Sequence, residues 1–307
     1  MTDPSIGFVG FGEAGFNIAK GLKSAGIVRI AAFDINRDSP ELGETIRRRA
    51  KEGEIPLADS SRELTAAAEI LFSTVTCARS KEAAEQTAPF LQSHHIYADL
   101  NSVSPALKQE IERVIVSSGA GFVEAAVMSP VPPYGHRAPM LLGGKAATCF
   151  ADRMTPFGMR LEVISEKVGA AAATKMFRSI IVKGLEALIF ESVLAASPYG
   201  ADERVFASLS ESFPGIDWKR LADYMVGRVV LHGERRAREM EEVAETLKSL
   251  GIEPIMSEAA ARRQDWCAQL GMASQFGPEG PKTYREVLQA IAAYTGSLQS
   301  LRRIDGN

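Results

Sequence analysis

Short apolar runs alternate with helical patterns through the first half of the chain. Such alternation is typical of a parallel β-sheet wrapped by helices. The apolar runs predict strands at Ile6–Gly10, Arg29–Asp34, Ile70–Thr76, Ile96–Asn101, Phe122–Met128, Pro139–Gly143 and Leu161–Ser165. Between them, apolar positions at helical spacing predict helices at Gly15–Ser24, Arg79–Gln92 and Pro105–Ser117.

The strand pattern ends near Gly169, and the rest of the chain shows only helical periods. The alanine-rich stretch Ala170–Ala196 predicts a helix about twice the usual length. Further helices are predicted at Asp202–Ser212, Trp218–Leu250, Glu258–Leu270 and Tyr284–Ser297. We therefore expect an α/β fold in two domains, with a doubly wound sheet over residues 1–165 and an all-α domain over residues 166–307.

Composition narrows the class of protein. Hydrophobic residues make up 46% and charged residues 24% of the 307 positions, a balance typical of a soluble globular protein. The formal net charge of -3 provides no basic field, so we expect neither a nucleic-acid partner nor a membrane surface. No stretch approaches the roughly 20 apolar residues of a membrane span.

The cysteines and the N-terminus bear on the compartment. Cys77, Cys149 and Cys267 are widely spaced and odd in number, which suits reduced thiols and favours neither a disulfide framework nor a metal site. The first residues lack the basic and apolar regions of a signal peptide. These features predict a cytoplasmic protein.

The first predicted strand runs into a glycine-rich turn that opens a helix. The segment I-G-F-V-G-F-G-E-A-G places Gly10, Gly12 and Gly15 in a G-x-G-x-x-G pattern. In such a pattern the first glycine permits a tight turn, the second lets the backbone approach a pyrophosphate, and the third lets the helix pack on the strand. The helix N-terminus then binds the pyrophosphate through free N–H groups. A structural glycine turn or a methyltransferase site is the alternative interpretation.

We therefore predict a Rossmann domain that binds a nicotinamide dinucleotide. Asp34 closes the second strand roughly twenty residues later, where a carboxylate accepts hydrogen bonds from the adenosine ribose and repels a 2′-phosphate. This favours NAD, whereas Arg37 would bind that phosphate if its loop turned inward, which leaves NADP open. The predicted cofactor contacts are Gly10, Phe11, Gly12, Glu13, Ala14, Gly15, Asp34, Arg37, Thr76 and Asn101.

The long helix carries a candidate for proton transfer. Lys175, Arg178 and Ser179 lie at i, i+3 and i+4 and share one helix face. Desolvation and the charge of an oxidised nicotinamide would lower the pKa of Lys175. A lysine near neutrality accepts the proton of an alcohol as hydride leaves carbon. From residue types alone, a surface lysine with its stem along the helix is the better-fitting alternative.

The chain resembles the superfamily of 6-phosphogluconate dehydrogenase and the β-hydroxyacid dehydrogenases, which includes 3-hydroxyisobutyrate dehydrogenase. The glycine pattern, the domain order and the long helix carry this resemblance over nearly the whole length. The family's catalytic lysine stands in G-x-x-x-K-x-x-N-N, and Lys175 matches it in position. The family's strand-end segment, a D-x-x-N-S or D-x-S-T pattern, corresponds to Asp99–Pro105 (D-L-N-S-V-S-P). The resemblance implies that Asn101 and Ser102 lie beside the nicotinamide and the substrate. For Ser102, a helix N-cap is the alternative.

Two segments depart from the family pattern. Arg178 and Ser179 replace the family's paired asparagines, and a proline-rich segment over residues 124–137 replaces its D-x-x-V-S-G-G loop. The prolines at 130, 132 and 133 have no N–H to offer a carboxylate, so recognition would pass to side chains. The side chains available are Ser129, Tyr134, His136, Arg137 and Arg178, with an exposed loop position as the alternative for His136 and Arg137.

The helical half indicates a divergent, poorly characterised branch of the superfamily. Arg235 and Arg236 stand where hydroxyisobutyrate enzymes carry a lysine–aspartate pair. Three arginines and two glutamates between His232 and Met240 favour a solvated helix face, and an anion-binding role for His232 or Arg236 is the alternative.

The resemblance implies an NAD(P)-dependent enzyme that transfers hydride between the nicotinamide and a small 2- or 3-hydroxy acid, with Lys175 as general acid/base. The predicted substrate contacts are Asn101, Ser102, Ser129, Arg178 and Ser179. An imine reductase of the same fold and a non-catalytic redox sensor remain alternatives; Lys175 argues against the first, and the altered Arg178–Ser179 pair keeps the second open. Family members pair their helical domains, so we expect a homodimer or a higher homo-oligomer.

Overall fold

A seven-stranded sheet forms the centre of the N-terminal part of the chain, in the order β2-β1-β3-β4-β5-β6-β7. The computed structural model describes residues 3–277 and 279–304, with side chains as far as residue 294. The strands are β1 Ile6–Val9, β2 Ile30–Phe33, β3 Ile70–Ser73, β4 Ile96–Asp99, β5 Gly121–Val127, β6 Met140–Gly143 and β7 Leu161–Ser165. β1 to β5 are parallel, β6 pairs antiparallel with β5, and β7 runs parallel to β6.

The helices occupy these ranges: α1 Glu13–Ser24, α2 Gly43–Gly53, α3 Ser61–Ala67, α4 Ser80–Thr87, α5 Pro105–Val116, α6 Val131–Tyr134, α7 Ala147–Met154, α8 Ala170–Ala196, α9 Asp202–Ser212, α10 Trp218–Ser249, α11 Ile255–Gln269 and α12 Tyr284–Ile304. The chain folds as an N-terminal unit that ends at Lys175 and a C-terminal unit that begins at Met176. The predicted fold class, a Rossmann-type sheet followed by a helical region, is confirmed.

Strands β1 to β5 are buried on both faces because alternate residues of these strands enter different apolar clusters. Phe8 and Phe72 lie on one face with their rings stacked at 5.2 Å, while Leu71 and Tyr97 lie on the other. Strands buried on both faces read as continuous apolar runs, which is why the sequence located them. The C-terminal unit has its own core, built around Phe190, Trp218, Val226, Tyr284 and Val287.

Several elements differ from the predictions. Helices α2, α3 and α7 were not predicted, because α2 is dominated by charged residues and the other two are only seven and eight residues long. The predicted helix Arg79–Gln92 is α4 followed by a 3-10 turn at Ala88–Phe90, since Pro89 cannot donate the next helical hydrogen bond. The predicted helix Trp218–Leu250 is present as α10 but is kinked at His232.

The proline-rich segment is held against α1 by His136. This side chain is 6% exposed, and a Cβ at residue 21 would lie 2.1 Å from its Nδ1, so the packing requires Gly21. Its Nε2 is buried and, within the ranges the structure describes, has no hydrogen-bond partner. His136 is therefore not the exposed loop residue that the sequence offered as an alternative.

Burial lowers the pKa of His136, and the positive charge of Arg137 lowers it further. An unfolded histidine titrates near about 6.5. As the pH falls below that value, the unfolded chain gains a proton that the folded chain refuses, so the free energy of unfolding decreases. Desolvation also lowers the pKa of His232, which therefore contributes in the same direction.

We expect His136→Gln to reduce the loss of stability between neutral and mildly acidic pH. The measurement is the denaturant midpoint of each protein across that range. His94→Gln is the matched control, because it makes the same substitution at an exposed position. A His136→Gln protein that loses as much stability as the wild type on acidification would show that this histidine is not the titrating group.

Candidate active site

The glycine-rich turn lies at the carboxyl ends of β1 and β3, where the strand order reverses. In parallel sheets this is the edge at which ligands bind. Gly10 has a φ of +86°, and a Cβ there would lie 2.9 Å from the Thr74 carbonyl oxygen. A Cβ at Gly15 would lie 2.6 Å from the Thr74 hydroxyl, which donates to the Gly10 carbonyl at 2.7 Å. The turn therefore packs tightly on β3, while Gly12 faces open space.

Asp34 is fixed at the end of β2 by two backbone amides. Its Oδ2 accepts from the Phe11 N–H at 2.7 Å, and its Oδ1 accepts from the Asn36 N–H at 2.9 Å. The carboxylate is thus tied to the glycine-rich turn itself. Each of its oxygens has a second lone pair with which to accept a hydroxyl.

A cavity of about 200 Å³ opens at this edge of the sheet. Of the predicted cofactor residues, it is lined by Gly10, Gly12, Asp34 and Thr76. Phe11 has its ring in the core, Gly15 is buried, Ala14 is half-buried and Glu13 is exposed on the first turn of α1. Arg37 and Asn101 do not line the cavity.

Lys175 lies in contact with Ser102. The distance between Lys175 Nζ and Ser102 Oγ is 2.5 Å, and both residues belong to the N-terminal unit. Ser102 is exposed in the loop between β4 and α5. It is not a helix cap, because Ser104 accepts from the Leu107 N–H and caps α5. The structure therefore brings together Lys175, the predicted catalytic residue, and Ser102, a predicted substrate contact.

The loop that carries Ser102 is built on a buried ion pair. Lys108 Nζ donates to Asp99 Oδ2 at 2.9 Å and to the Asp99 carbonyl at 2.8 Å, with both side chains almost fully buried. Asp99 Oδ1 accepts from the Asn101 side chain at 2.5 Å, and that side chain also donates to Ser73 Oγ at 2.9 Å. The Asn101 amide group thus holds the loop in place, while Ser102 is left exposed beside Lys175.

The first turn of α8 is anchored to the sheet by Glu124. This residue of β5 is fully buried, and its Oε1 accepts from the N–H groups of Gly169 and Ala171 at 2.8 and 2.9 Å. Its Oε2 accepts from the Ala172 N–H at 3.4 Å. A carboxylate at a helix N-terminus satisfies amides that have no partner within the helix and complements the helix dipole. The position of Lys175, one turn further along, follows from this anchor.

The remaining predicted substrate residues are placed as follows. Ser129 is half-buried, and its hydroxyl has no hydrogen-bond partner within the described ranges. Arg178 is exposed and Ser179 is half-buried, both in the C-terminal unit. Tyr134 and Arg137 are exposed.

The charged stretch on α10 is not simply a solvated face. Arg236 is 4% exposed and forms an ion pair with the fully buried Glu186 of α8. Lys183 is also buried, lies 2.5 Å from Glu239, and has a pKa that burial lowers. This correction has a physical reason: two charges of opposite sign on facing helices share a buried position that periodicity alone assigns to solvent.

Sequence reasoning missed the supporting residues Thr74, Lys108 and Glu124. Glu124 had a signal, because a carboxylate inside an apolar strand must find donors when it is buried. Lys108 gave none, since its pairing with Asp99 depends on how α5 folds back on the end of β4.

The glycine turn, Asp34 and the cavity between them define a dinucleotide-binding domain. Comparison with known families agrees: residues 5–149 match the NAD binding domain of 6-phosphogluconate dehydrogenase, and residues 196–267 match a domain of unknown function, DUF1932. The chain belongs to the family that joins these two domains, within the 6-phosphogluconate and hydroxyacid dehydrogenase group that the sequence resembles.

Similar proteins include several of unassigned function. A conserved hypothetical protein from Sinorhizobium meliloti is 36% identical, with a TM-score of 0.80 over 96% of this chain and 97% of that one. The conserved protein MTH1747, described as structurally similar to 3-hydroxyacid dehydrogenases, is 28% identical, with a TM-score of 0.73 over 86% and 97%. The mitochondrial 3-hydroxyisobutyrate dehydrogenase of Drosophila melanogaster is 26% identical over 70% of this chain and 65% of that protein.

Among the residues that the structure describes, none of the helices has the length and apolar character needed to cross a bilayer.

We expect Glu124→Gln to destabilise the N-terminal unit by roughly 2 kcal/mol, because the amide group removes the charge that binds the first turn of α8 and turns an N–H₂ toward N–H donors. Denaturant unfolding measures this loss. Glu162→Gln on β7 is the control, since Glu162 is exposed and its loss is expected to change stability by less than about 0.5 kcal/mol. Equal stability of the two variants would contradict the anchoring role.

Proposed function

We propose that this protein is an NAD(P)-dependent oxidoreductase that transfers hydride between the nicotinamide and a small 2- or 3-hydroxy acid. The observation that carries the proposal is the contact between Lys175 and Ser102 in a unit that also holds the glycine turn and Asp34. Similarity to 3-hydroxyacid dehydrogenases supports the same class of reaction.

The residues at the sheet edge fit a dinucleotide. Gly12 faces open space, so a pyrophosphate can approach the backbone at the start of α1. Asp34 lines the same cavity, and its free lone pairs suit the adenosine ribose hydroxyls. When bound, the nicotinamide supplies the carbon that accepts or donates hydride.

Lys175 and Ser102 divide the remaining chemistry between them. A neutral Lys175 Nζ accepts the proton of the substrate hydroxyl during oxidation and returns it during reduction. Ser102 Oγ accepts a hydrogen bond from Lys175, which leaves the serine O–H to donate to a substrate oxygen. The alcohol would thus be held between the base Lys175 and the donor Ser102. Glu124 anchors the helix that carries the first, and the Asp99–Lys108 ion pair anchors the loop that carries the second.

Lys175→Met tests the assignment of the base. Methionine keeps much of the stem but removes proton transfer, so turnover should fall roughly 10²- to 10⁴-fold. The affinity for NADH, measured by fluorescence titration, should change little, because the cofactor residues lie on other elements. Turnover is followed as nicotinamide absorbance across a panel of small 2- and 3-hydroxy acids.

Lys167→Met is the control, since Lys167 is exposed shortly before α8. Lys183 does not serve as one, because it is buried in an ion pair. Full activity in the Lys175 variant would refute its role as the base. NADH binding without turnover of any hydroxy acid would favour the redox-sensor alternative.

We propose that the cofactor site prefers NAD to NADP, on the strength of the Asp34 carboxylate. Titration calorimetry should give tighter binding of NADH than of NADPH. Asp34→Asn keeps an oxygen for the Phe11 N–H but removes the charge that repels a 2′-phosphate, so the gap between the two cofactors should narrow. Tighter binding of NADPH by the wild type would contradict this preference.

We also propose that the protein assembles at least as a homodimer. Ile181 and Leu188 lie two turns apart on one face of α8 and are 66% and 55% exposed. An apolar helix face of this kind is commonly covered by another subunit. Light scattering at micromolar concentration should give a mass of at least two chains, and a monomer mass would refute the proposal.

A further inference from the structure

The arginine that the sequence offered for an adenosine 2′-phosphate is already engaged. Arg37 Nη1 lies 2.5 Å from Asp59 Oδ1 and 3.0 Å from the Ala58 carbonyl oxygen, and its Nε lies 3.1 Å from Asp38 Oδ2. Two carboxylates therefore surround this guanidinium outside the cavity. A phosphate bound there would meet their negative charge.

A different arginine lines the cavity. Arg49 lies on α2 at helical spacing from Leu42, Thr45 and Ile46, which line the cavity with it. Within residues 3–277 and 279–304, the Arg49 side chain forms no hydrogen bond or ion pair with the protein. Its charge is therefore not neutralised by a neighbouring carboxylate, and an anionic ligand in the cavity would be its partner.

The cavity thus carries two side chains with opposite effects on the binding of a phosphate. Asp34 lines it with a carboxylate that suits ribose hydroxyls and repels a phosphate, although each of its oxygens is bound to one backbone N–H. Arg49 lines it with an uncompensated cation. Resting on the dinucleotide site of the proposed function, we propose that Arg49, rather than Arg37, determines how well the cleft accepts an adenosine 2′-phosphate. NADP then binds measurably, although less tightly than NAD.

The test uses pairs of ligands that differ only in the 2′-phosphate: NADPH with NADH, and 2′-phospho-ADP-ribose with ADP-ribose. Affinities are measured by calorimetry at one ionic strength, because the contact is electrostatic. Arg49→Gln should weaken the phosphorylated member of each pair roughly 10- to 100-fold, the range for a hydrogen bond to a charged group. The other member should change less than about 3-fold.

Two matched variants make the result specific. Arg48→Gln removes the same charge from the adjacent, exposed position of α2 and should leave both members of each pair unchanged. Arg37→Gln should leave the ratio of the two affinities within each ligand pair unchanged, even if the substitution alters the loop that carries Arg37. Circular dichroism and denaturant midpoints confirm that each variant is folded.

Several outcomes overturn the inference. An equal loss for both members of a pair would show that Arg49 contacts the adenine or another shared part of the ligand. A selective loss in Arg37→Gln would return the role to Arg37. NADH binding with no detectable NADPH binding would refute the inference alone, whereas failure of the wild type to bind any of the four ligands would refute the dinucleotide site itself.

Discussion

A single buried carboxylate joins the sheet to the helix that carries Lys175. Glu124 lies inside a strand whose other residues are apolar, and its burial would be unfavourable without donors. The amides of the first turn of α8 are such donors, and they in turn lack partners within the helix. Each group therefore satisfies the other, which fixes the first turn of α8 and, one turn further along, the position of Lys175.

The partner of Lys175 is fixed by a second buried charge. Lys108 neutralises Asp99 at the end of β4, and Asp99 then orders Asn101 and the exposed Ser102. Removing one member of such a pair leaves an isolated buried charge, which typically costs about 3–5 kcal/mol. Lys175 and Ser102 are thus held by ion-dipole and ion-pair contacts within the N-terminal unit. The proton transfer proposed above requires preorganisation of this kind.

The sequence predicted those features that depend on residues close together in the chain, and missed those that depend on residues far apart in the chain. The strands were located because both faces of the sheet are buried, and the glycine turn was located because Gly10 and its neighbours act within a few residues. Helix α2 was missed because its charged residues hide a short apolar stripe. Arg37 was assigned by its nearness to Asp34 in the chain, whereas its side chain is drawn away by Asp59, which is 22 residues later.

The proline-rich segment shows how a family loop can be replaced without loss of order. Pro130, Pro132 and Pro133 remove backbone donors, so this segment cannot cradle a carboxylate as a glycine-rich loop does. Its order comes instead from His136, which packs on Gly21 of the same helix that the glycine turn opens. The Ser129 hydroxyl, directly before the first proline, is buried without a described partner. An unsatisfied hydroxyl of this kind is unfavourable unless a ligand or water supplies the bond.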